Sequence, residues 1–306
     1  MVKFEGDFFV MIDQFLTYLE VERRYSPNTI ISYKKDLGDF LVYYQMAEGD
    51  NDISKADKKV IRNYIVYLSQ QDLHKRSINR KLSSLRSYFL FILRLGMLEH
   101  SPMDGIQSLK FYPEKQIPIS EEEGEKLSEV LLKEDVGELE RVIVEILYQT
   151  GIRKAELCAL KLDSINFSKN ELRIWGKGNK VRIVPISENL AQSIQDYLKI
   201  RQPQDAEDDT LLINSKGKKV GPKFVYNVVN KYLSKVTTKV KKSPHILRHS
   251  FATHVLNNGA EISKVQKIMG HSSLVSTQVY TNANIHELKK AFNGAHPRAR
   301  HNEGGE

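Results

Sequence analysis

The chain has 306 residues, 41% of them hydrophobic and 27% charged, enough for one large domain or two ordinary ones. Its formal net charge of +8 suits a nucleic-acid partner, although a merely basic soluble enzyme has the same balance. A single cysteine, Cys158, excludes an internal disulfide and fits a reducing compartment, no apolar run approaches the ~18 residues of a membrane span, and MVKFEGDFFVMID carries no cleavage-site pattern, so a cytoplasmic protein is expected.

Residues 7 to 97 read as four amphipathic helices. Phe8, Phe9, Ile12, Phe15, Leu16 and Leu19 recur near a 3.6 period in the first. Ser26-Pro27 opens the second, which carries Ile30, Tyr33, Leu37, Phe40 and Leu41. Ser54 is positioned to cap the third, around Val60, Ile61, Tyr64, Ile65 and Leu68. The fourth runs from about Ser77 to Gly96. A small helical bundle follows. Arg76 and Arg80 lie one turn apart with Ser83, Ser84 and Ser87 nearby, and Arg23, Arg24, Ser26, Asn28 and Thr29 cluster at the first junction. Short hydroxyls beside arginines suit backbone phosphates; an ordinary solvated face is the alternative.

Residues 100–119 contain Pro102, Gly105, Pro113 and Pro118 and no periodicity, which marks a linker and places the division at 1–112 and 113–306. Ser120 and Glu123 form a capping-box pattern. Helices are expected at 121–133 and 138–149, with Gly151 ending the latter and Arg153 beginning a short helix. Glu156 is placed to face Arg153. Cys158 reads as a core residue. From Glu171 to Ile186 the pattern alternates, with Leu172 and Ile174, then Val181 and Ile183, as the apolar positions of two strands. Gly176-Lys177-Gly178-Asn179-Lys180 turns the chain between them, and two glycines let that tip approach another backbone. Lys180 and Arg182 sit beside it. The fold class is therefore mainly α with a small β-sheet.

Residues 202–209 form an acidic loop. From Lys216 to Arg248 there are nine lysines, one arginine and no acid. Such a run, ending in Lys241 and Lys242, reads as a surface that tracks DNA. Tyr226, Val229 and Leu233 are expected on the buried side of its helix. Ser243-Pro244 then starts a helix that puts His245 and Arg248 on one face of its first turns, beside free N–H groups that attract anions. It should end at Asn257-Asn258-Gly259. A following helix, 260–269, places Ile262, Val265 and Met269 together and stops at Gly270, directly before His271. Tyr280 comes nine residues later. His245, His249 and His254 lack acidic co-ligands and the HExxH pattern, so no metal is expected, and His249 and His254 read as structural.

His245-Ile246-Leu247-Arg248, Gly270-His271 and Tyr280, preceded by Gly151-Ile152-Arg153-Lys154-Ala155-Glu156 and by Lys177 in its hairpin turn, resemble the signature of the tyrosine recombinases. Ala295-His296-Pro297-Arg298-Ala299 resembles the Xer branch, which resolves chromosome dimers. The resemblance implies an N-terminal four-helix, SAM-like core-binding domain and a C-terminal catalytic domain, together forming a clamp around double-stranded DNA. It implies that Tyr280 attacks phosphorus to give a 3′-phosphotyrosine, that Arg153 and Arg248 hold nonbridging oxygens, that Lys177 (or Lys180, if the turn register slips) protonates the departing 5′ oxygen, and that His245 and His271 support proton transfer. Glu156 would support Arg153, and Arg76, Arg80, Lys180, Arg182, Lys241 and Lys242 would contact DNA. The covalent step conserves bond energy, so no cofactor, metal or nucleotide is needed. Strand exchange implies a homotetramer, or a heterotetramer with a second Xer-type recombinase, and leaves an activating DNA translocase open as a partner. Ile285, Leu288 and Phe292 form a short apolar stripe that would dock on a neighbouring protomer. The alternatives are an integrase or transposase of a mobile element, and a non-catalytic DNA-binding protein.

Overall fold

The computed structural model describes residues 5–112, 116–176 and 180–270, with side chains from residue 11 onward. The chain divides into two compact units, Met1–Glu114 and Lys115–Glu306. Among the described residues no helix is long and apolar enough to cross a membrane.

The first unit holds four helices, α1 (Glu5–Val21), α2 (Pro27–Glu48), α3 (Lys58–Gln70) and α4 (Lys75–Arg94). Their apolar stripes meet in a core rich in aromatic rings, with Phe15, Phe40, Tyr64, Tyr88 and Phe89 fully buried. Ser26 caps α2 by accepting from the Thr29 N–H, and Pro27 occupies the first turn, as the sequence suggested. The cap of α3 is different from the expected one. Ser54 falls in a separate 3-10 turn, and Asp57 accepts from the Val60 N–H at 2.8 Å. Asp36 on α2 is completely buried and accepts from Arg80, Lys81 and Ser84 of α4, so these two helices are tied by charge as well as by packing. The early linker is also not free chain. Met103 and Ile106 are buried in this core, and Asn79 pins Leu109 through two hydrogen bonds of 2.9 and 2.8 Å.

The second unit wraps helices around a three-stranded antiparallel sheet of order β1-β2-β3 (β1 Ile165–Asn166, β2 Glu171–Trp175, β3 Val181–Pro185). The helices are α5 (Glu121–Leu131), α6 (Glu138–Thr150), α7 (Lys154–Cys158), α8 (Glu188–Ile200), α9 (Pro222–Val236), α10 (Pro244–Asn257) and α11 (Ile262–Met269). The Ser120–Glu123 capping box forms at the start of α5. Cys158 is buried in the core, and burial pushes its thiol up. Helix α8 had no counterpart in the sequence reading; Ser187 caps it, and Leu190, Ile194 and Tyr197 are its buried face.

Three expected faces need correction. On β3 the inward residues are Arg182 and Val184, whereas Val181 is 40% exposed, so the strand has the expected period with the opposite phase. On α9 the buried face includes Val225, Val229 and Leu233, and Tyr226 is exposed beside Lys154. On α11, Val265, Ile268 and Met269 are buried while Ile262 points to solvent.

Candidate active site: an arginine cluster at a helix C-terminus

Helix α6 ends where Gly151 turns left-handed, with φ of 59°. A side chain there would also collide with Phe251 of α10, since an added Cβ would lie 2.4 Å from the ring. Glycine thus permits both the turn and the close crossing of α6 and α10. Two residues later Arg153 caps α7, as anticipated. Its own N–H donates to Glu156 Oε2 at 2.8 Å and its Nη1 to Glu156 Oε1 at 3.0 Å.

Helix α10 supplies Arg248 from a face that is buried on both sides of the residue. Ile246, Leu247, Phe251 and Val255 lock the helix into the core. The Arg248 guanidinium donates through Nη1 to the Gly151 carbonyl and through Nη2 to the Met269 carbonyl at 2.7 Å. His245, three residues before it, is exposed on the first turn. His254 is buried, as expected; its Nε2 pairs with the Ile119 carbonyl at 2.8 Å and its Nδ1 with the Tyr148 hydroxyl at 3.2 Å. His249, expected to be structural, is exposed instead.

Glu156 is 8% exposed and sits between two arginines. Arg182 grips it with Nη1 to Oε1 at 3.0 Å and Nη2 to Oε2 at 2.7 Å, a two-pronged pair. The Arg182 Nε donates to the Ile268 carbonyl at 2.7 Å. Arg153 Nη2 reaches the Gly270 carbonyl at 3.1 Å. Three successive carbonyls at the end of α11, those of Ile268, Met269 and Gly270, therefore each receive a different arginine. The negative end of a helix dipole favours such cations. Gly270 closes the helix with φ of 66° and presses on Arg182, since an added Cβ would lie 3.1 Å from Nη1.

The electrostatics follow from this packing. Burial alone would raise the Glu156 carboxyl, but the Arg182 bonds and charge, then Arg153, outweigh it and hold the group below the usual carboxylate range. Burial, and next the neighbouring Arg153 charge, bring Arg248 down to about 10, which leaves it cationic at neutral pH. His245, although exposed to solvent, is lowered by partial desolvation of its ring against the packed helices, then by Arg248, Lys154 and Arg153, so its neutral imidazole is favoured in the absence of an anion.

Four of the expected site residues, Arg153, Glu156, His245 and Arg248, are brought together. Lys177, His271 and Tyr280 lie outside the described residues, as does the apolar stripe of Ile285, Leu288 and Phe292. Among the expected DNA contacts, Arg182 is corrected: it is 5% exposed and turned inward onto Glu156 and α11, so it cannot reach a duplex. Arg76 and Lys180 are exposed, Lys241 is exposed, and Lys242 is half-buried. Arg80 keeps 46% of its side chain exposed while pairing with Asp36. Ser84, expected among phosphate-facing hydroxyls, is buried on Asp36. Among the described residues no group of three metal-ligating side chains occurs. Lys154, whose ammonium lies 5.9 Å from the exposed Tyr226 ring, was not singled out from the sequence; its place directly after Arg153 was the available signal.

A family profile described as the phage integrase family matches residues 118–287, more than half of the chain. The chain belongs to this family, the tyrosine recombinases. A second profile, the phage integrase N-terminal SAM-like domain, matches residues 12–96 of this recombinase. It is 35% identical over 306 residues to the tyrosine recombinase XerC of Pelotomaculum thermopropionicum, covering 95% of this chain and 99% of that relative. It is 34% identical to the XerC of Oceanobacillus iheyensis, covering 95% and 97% of the two chains. In fold it resembles the Tn1549 transposon integrase solved in complex with transposon right end DNA (TM-score 0.68, 19% identity, 92% of this chain and 98% of that one). It also resembles the XerH recombinase bound to palindromic difH substrate (TM-score 0.68, 21% identity, 92% and 83%). The recombinase is a site-specific enzyme that cuts and rejoins DNA strands through a tyrosine.

Proposed function

We propose that this recombinase is an Xer enzyme that resolves chromosome dimers at a dif-like site in the cytoplasm, and that Tyr280 is its nucleophile. The observation that carries the site assignment is the meeting of Arg153 and Arg248 at one helix end, from segments far apart in sequence. Attack of a phenolate on a phosphodiester gives a phosphorane with two negative charges. Three arginines, Arg153, Arg182 and Arg248, gather around the one carboxylate of Glu156, and that excess of positive charge suits the phosphoryl oxygens. Each guanidinium is anchored by the carbonyl contacts described above, Arg153 on Gly270 and Arg248 on Gly151 and Met269, and such a planar group suits the nonbridging oxygens of a phosphate. His245, held neutral before DNA arrives, accepts or passes a proton and hydrogen-bonds the phosphate. Lys177, which falls between β2 and β3 in sequence, protonates the leaving 5′ oxygen. His271 follows the last of the three arginine-capped carbonyls in sequence and serves the same phosphate.

The exchange of strands is carried out by a tetramer, of this chain alone or with a second Xer-type recombinase, and an activating DNA translocase is a further partner. Near-complete coverage of XerC relatives at 35% and 34% identity supports the Xer role. Genome-wide mapping of bound DNA tests it. One strong locus near the replication terminus is the expected result; occupancy confined to the ends of a mobile element would replace this role by that of an integrase.

A further inference from the structure

We propose that Arg182 is a positioning residue for strand cleavage: through Glu156 and the Ile268 carbonyl it fixes the angle at which Arg153 meets the scissile phosphate. The proposal rests on the assignment of Arg153 to that phosphate. Arg182 comes from β3, at an inward position that strand alternation would normally give to an apolar residue. Burying a guanidinium is costly unless every donor direction is engaged. Here Nη1 and Nη2 hold both Glu156 oxygens, at 3.0 and 2.7 Å, and Nε holds the α11 carbonyl at 2.7 Å.

The same two Glu156 oxygens receive Arg153, one from its backbone N–H and one from Nη1. A carboxylate gripped from behind by a buried fork cannot rotate, so it presents a fixed acceptor to Arg153. Arg153 is itself 43% exposed in its side chain and has no comparable packing. A long exposed side chain loses rotamer entropy when it is held in one geometry, and Glu156 with the Gly270 carbonyl is what limits its freedom. Arg182 also ties β3 to α11, so the Gly270 carbonyl that steadies Arg153 is set by the same residue. Lysine substitutes for this only in part, because its ammonium keeps the charge but lacks the planar fork that grips both carboxylate oxygens while Nε reaches the carbonyl.

A neutral scissile linkage tests the proposal. Nicked duplexes carrying the core sequence recovered by the genome-wide mapping are made with either a phosphodiester or a methylphosphonate at the cleavage position, and the rate of strand cleavage is measured. The methylphosphonate lacks one anionic oxygen, so it needs less help from a well-aimed guanidinium. Arg153→Gln is expected to lose about 100-fold on the phosphodiester and about 3-fold or less on the methylphosphonate, the size of defect typical for one oxyanion donor. Arg182→Gln is expected to show the same substrate-dependent pattern without touching the phosphate, with DNA affinity unchanged, and Arg182→Lys an intermediate loss with the same pattern. Arg182→Lys keeps a charge against Glu156 and so guards against a folding defect in Arg182→Gln. Equal losses on the two substrates for both Arg182 variants would reduce the residue to a fold-stabilising pair and overturn the proposal. A substrate-independent loss in Arg153→Gln would remove the phosphate role of Arg153, and the proposal with it.

Discussion

Glu156 shows how much one buried side chain decides. Its carboxyl is ionised at a lower pH in the folded chain than in the unfolded one, where it titrates at about 4.3. The stability that its charge contributes is present above that unfolded value and is lost as pH falls through the folded one. Replacing it by glutamine should therefore lower stability at neutral pH and flatten the acid limb of a plot of unfolding free energy against pH. A Glu156→Gln limb as steep below about pH 4 as the parent's would show that the carboxylate is not held ionised. The sequence made the Arg153–Glu156 pair legible, because three residues separate them at a helix start. It hid Arg182. A charged residue between Val181 and Ile183 was read as outward, and only the partner waiting on α7 and the carbonyl on α11 reverse that. Period in a strand is visible in sequence, but phase depends on what lies across the sheet face.

Helix ends are where this fold is most exposed to single substitutions. Gly151→Ala must both hold a left-handed backbone and displace Phe251, and it shifts the carbonyl that receives Arg248. A loss of about 2–4 kcal/mol is expected, read as a lower denaturant midpoint together with a cleavage defect. His254→Ala should cost a similar amount, about 2–4 kcal/mol, because it empties a buried site and leaves the Ile119 carbonyl without this partner. An unchanged midpoint in either variant would contradict the packing described. Caps set by short local patterns were readable: Ser26-Pro27, the Ser120–Glu123 box, Gly151 and Gly270 all sit where the residue types placed them. Asp57 took the cap assigned to Ser54 because the chain makes a 3-10 turn first, a conformation with no strong sequence mark. Helix α8 carries the same kind of local mark, a Ser187 cap followed by the Leu190, Ile194 and Tyr197 spacing. Tyr226 shares a helical face with Val229 and Leu233 by spacing, yet it turns outward beside Lys154 and its neighbour Val225 takes the buried position.

For the whole chain, the excess of positive charge and the basic run before α10 make DNA binding an electrostatic event. Affinity should fall steeply with salt, and Lys241→Ala should weaken binding about equally on all sequences while reducing the slope of log affinity against log salt by about 1. A Lys241→Ala variant with an unchanged slope would remove that residue from the DNA surface. Assembly is separable from binding: Phe292→Asp is expected to keep single-site binding and lose synaptic tetramers in gel-shift and sizing experiments, and intact tetramers would exclude its stripe from the protomer contact. The mainly helical class, the two-part organisation and the family are legible in the sequence, because motifs and amphipathic periods are local. The convergence of three arginines on one helix end was not, because it joins β3, α7 and α10 through backbone carbonyls that no residue pattern records.

The most direct measurement is the covalent adduct itself. The recombinase, incubated with a nicked duplex bearing its core site, should form a protein–DNA species that survives denaturation, and peptide mass spectrometry should place the 3′-phosphate on Tyr280. Tyr280→Phe should abolish it, and Arg153→Gln or Arg248→Gln should slow it by about 100-fold or more. An adduct carried by any other residue, or one that forms at full rate without either arginine, would contradict this account of the site.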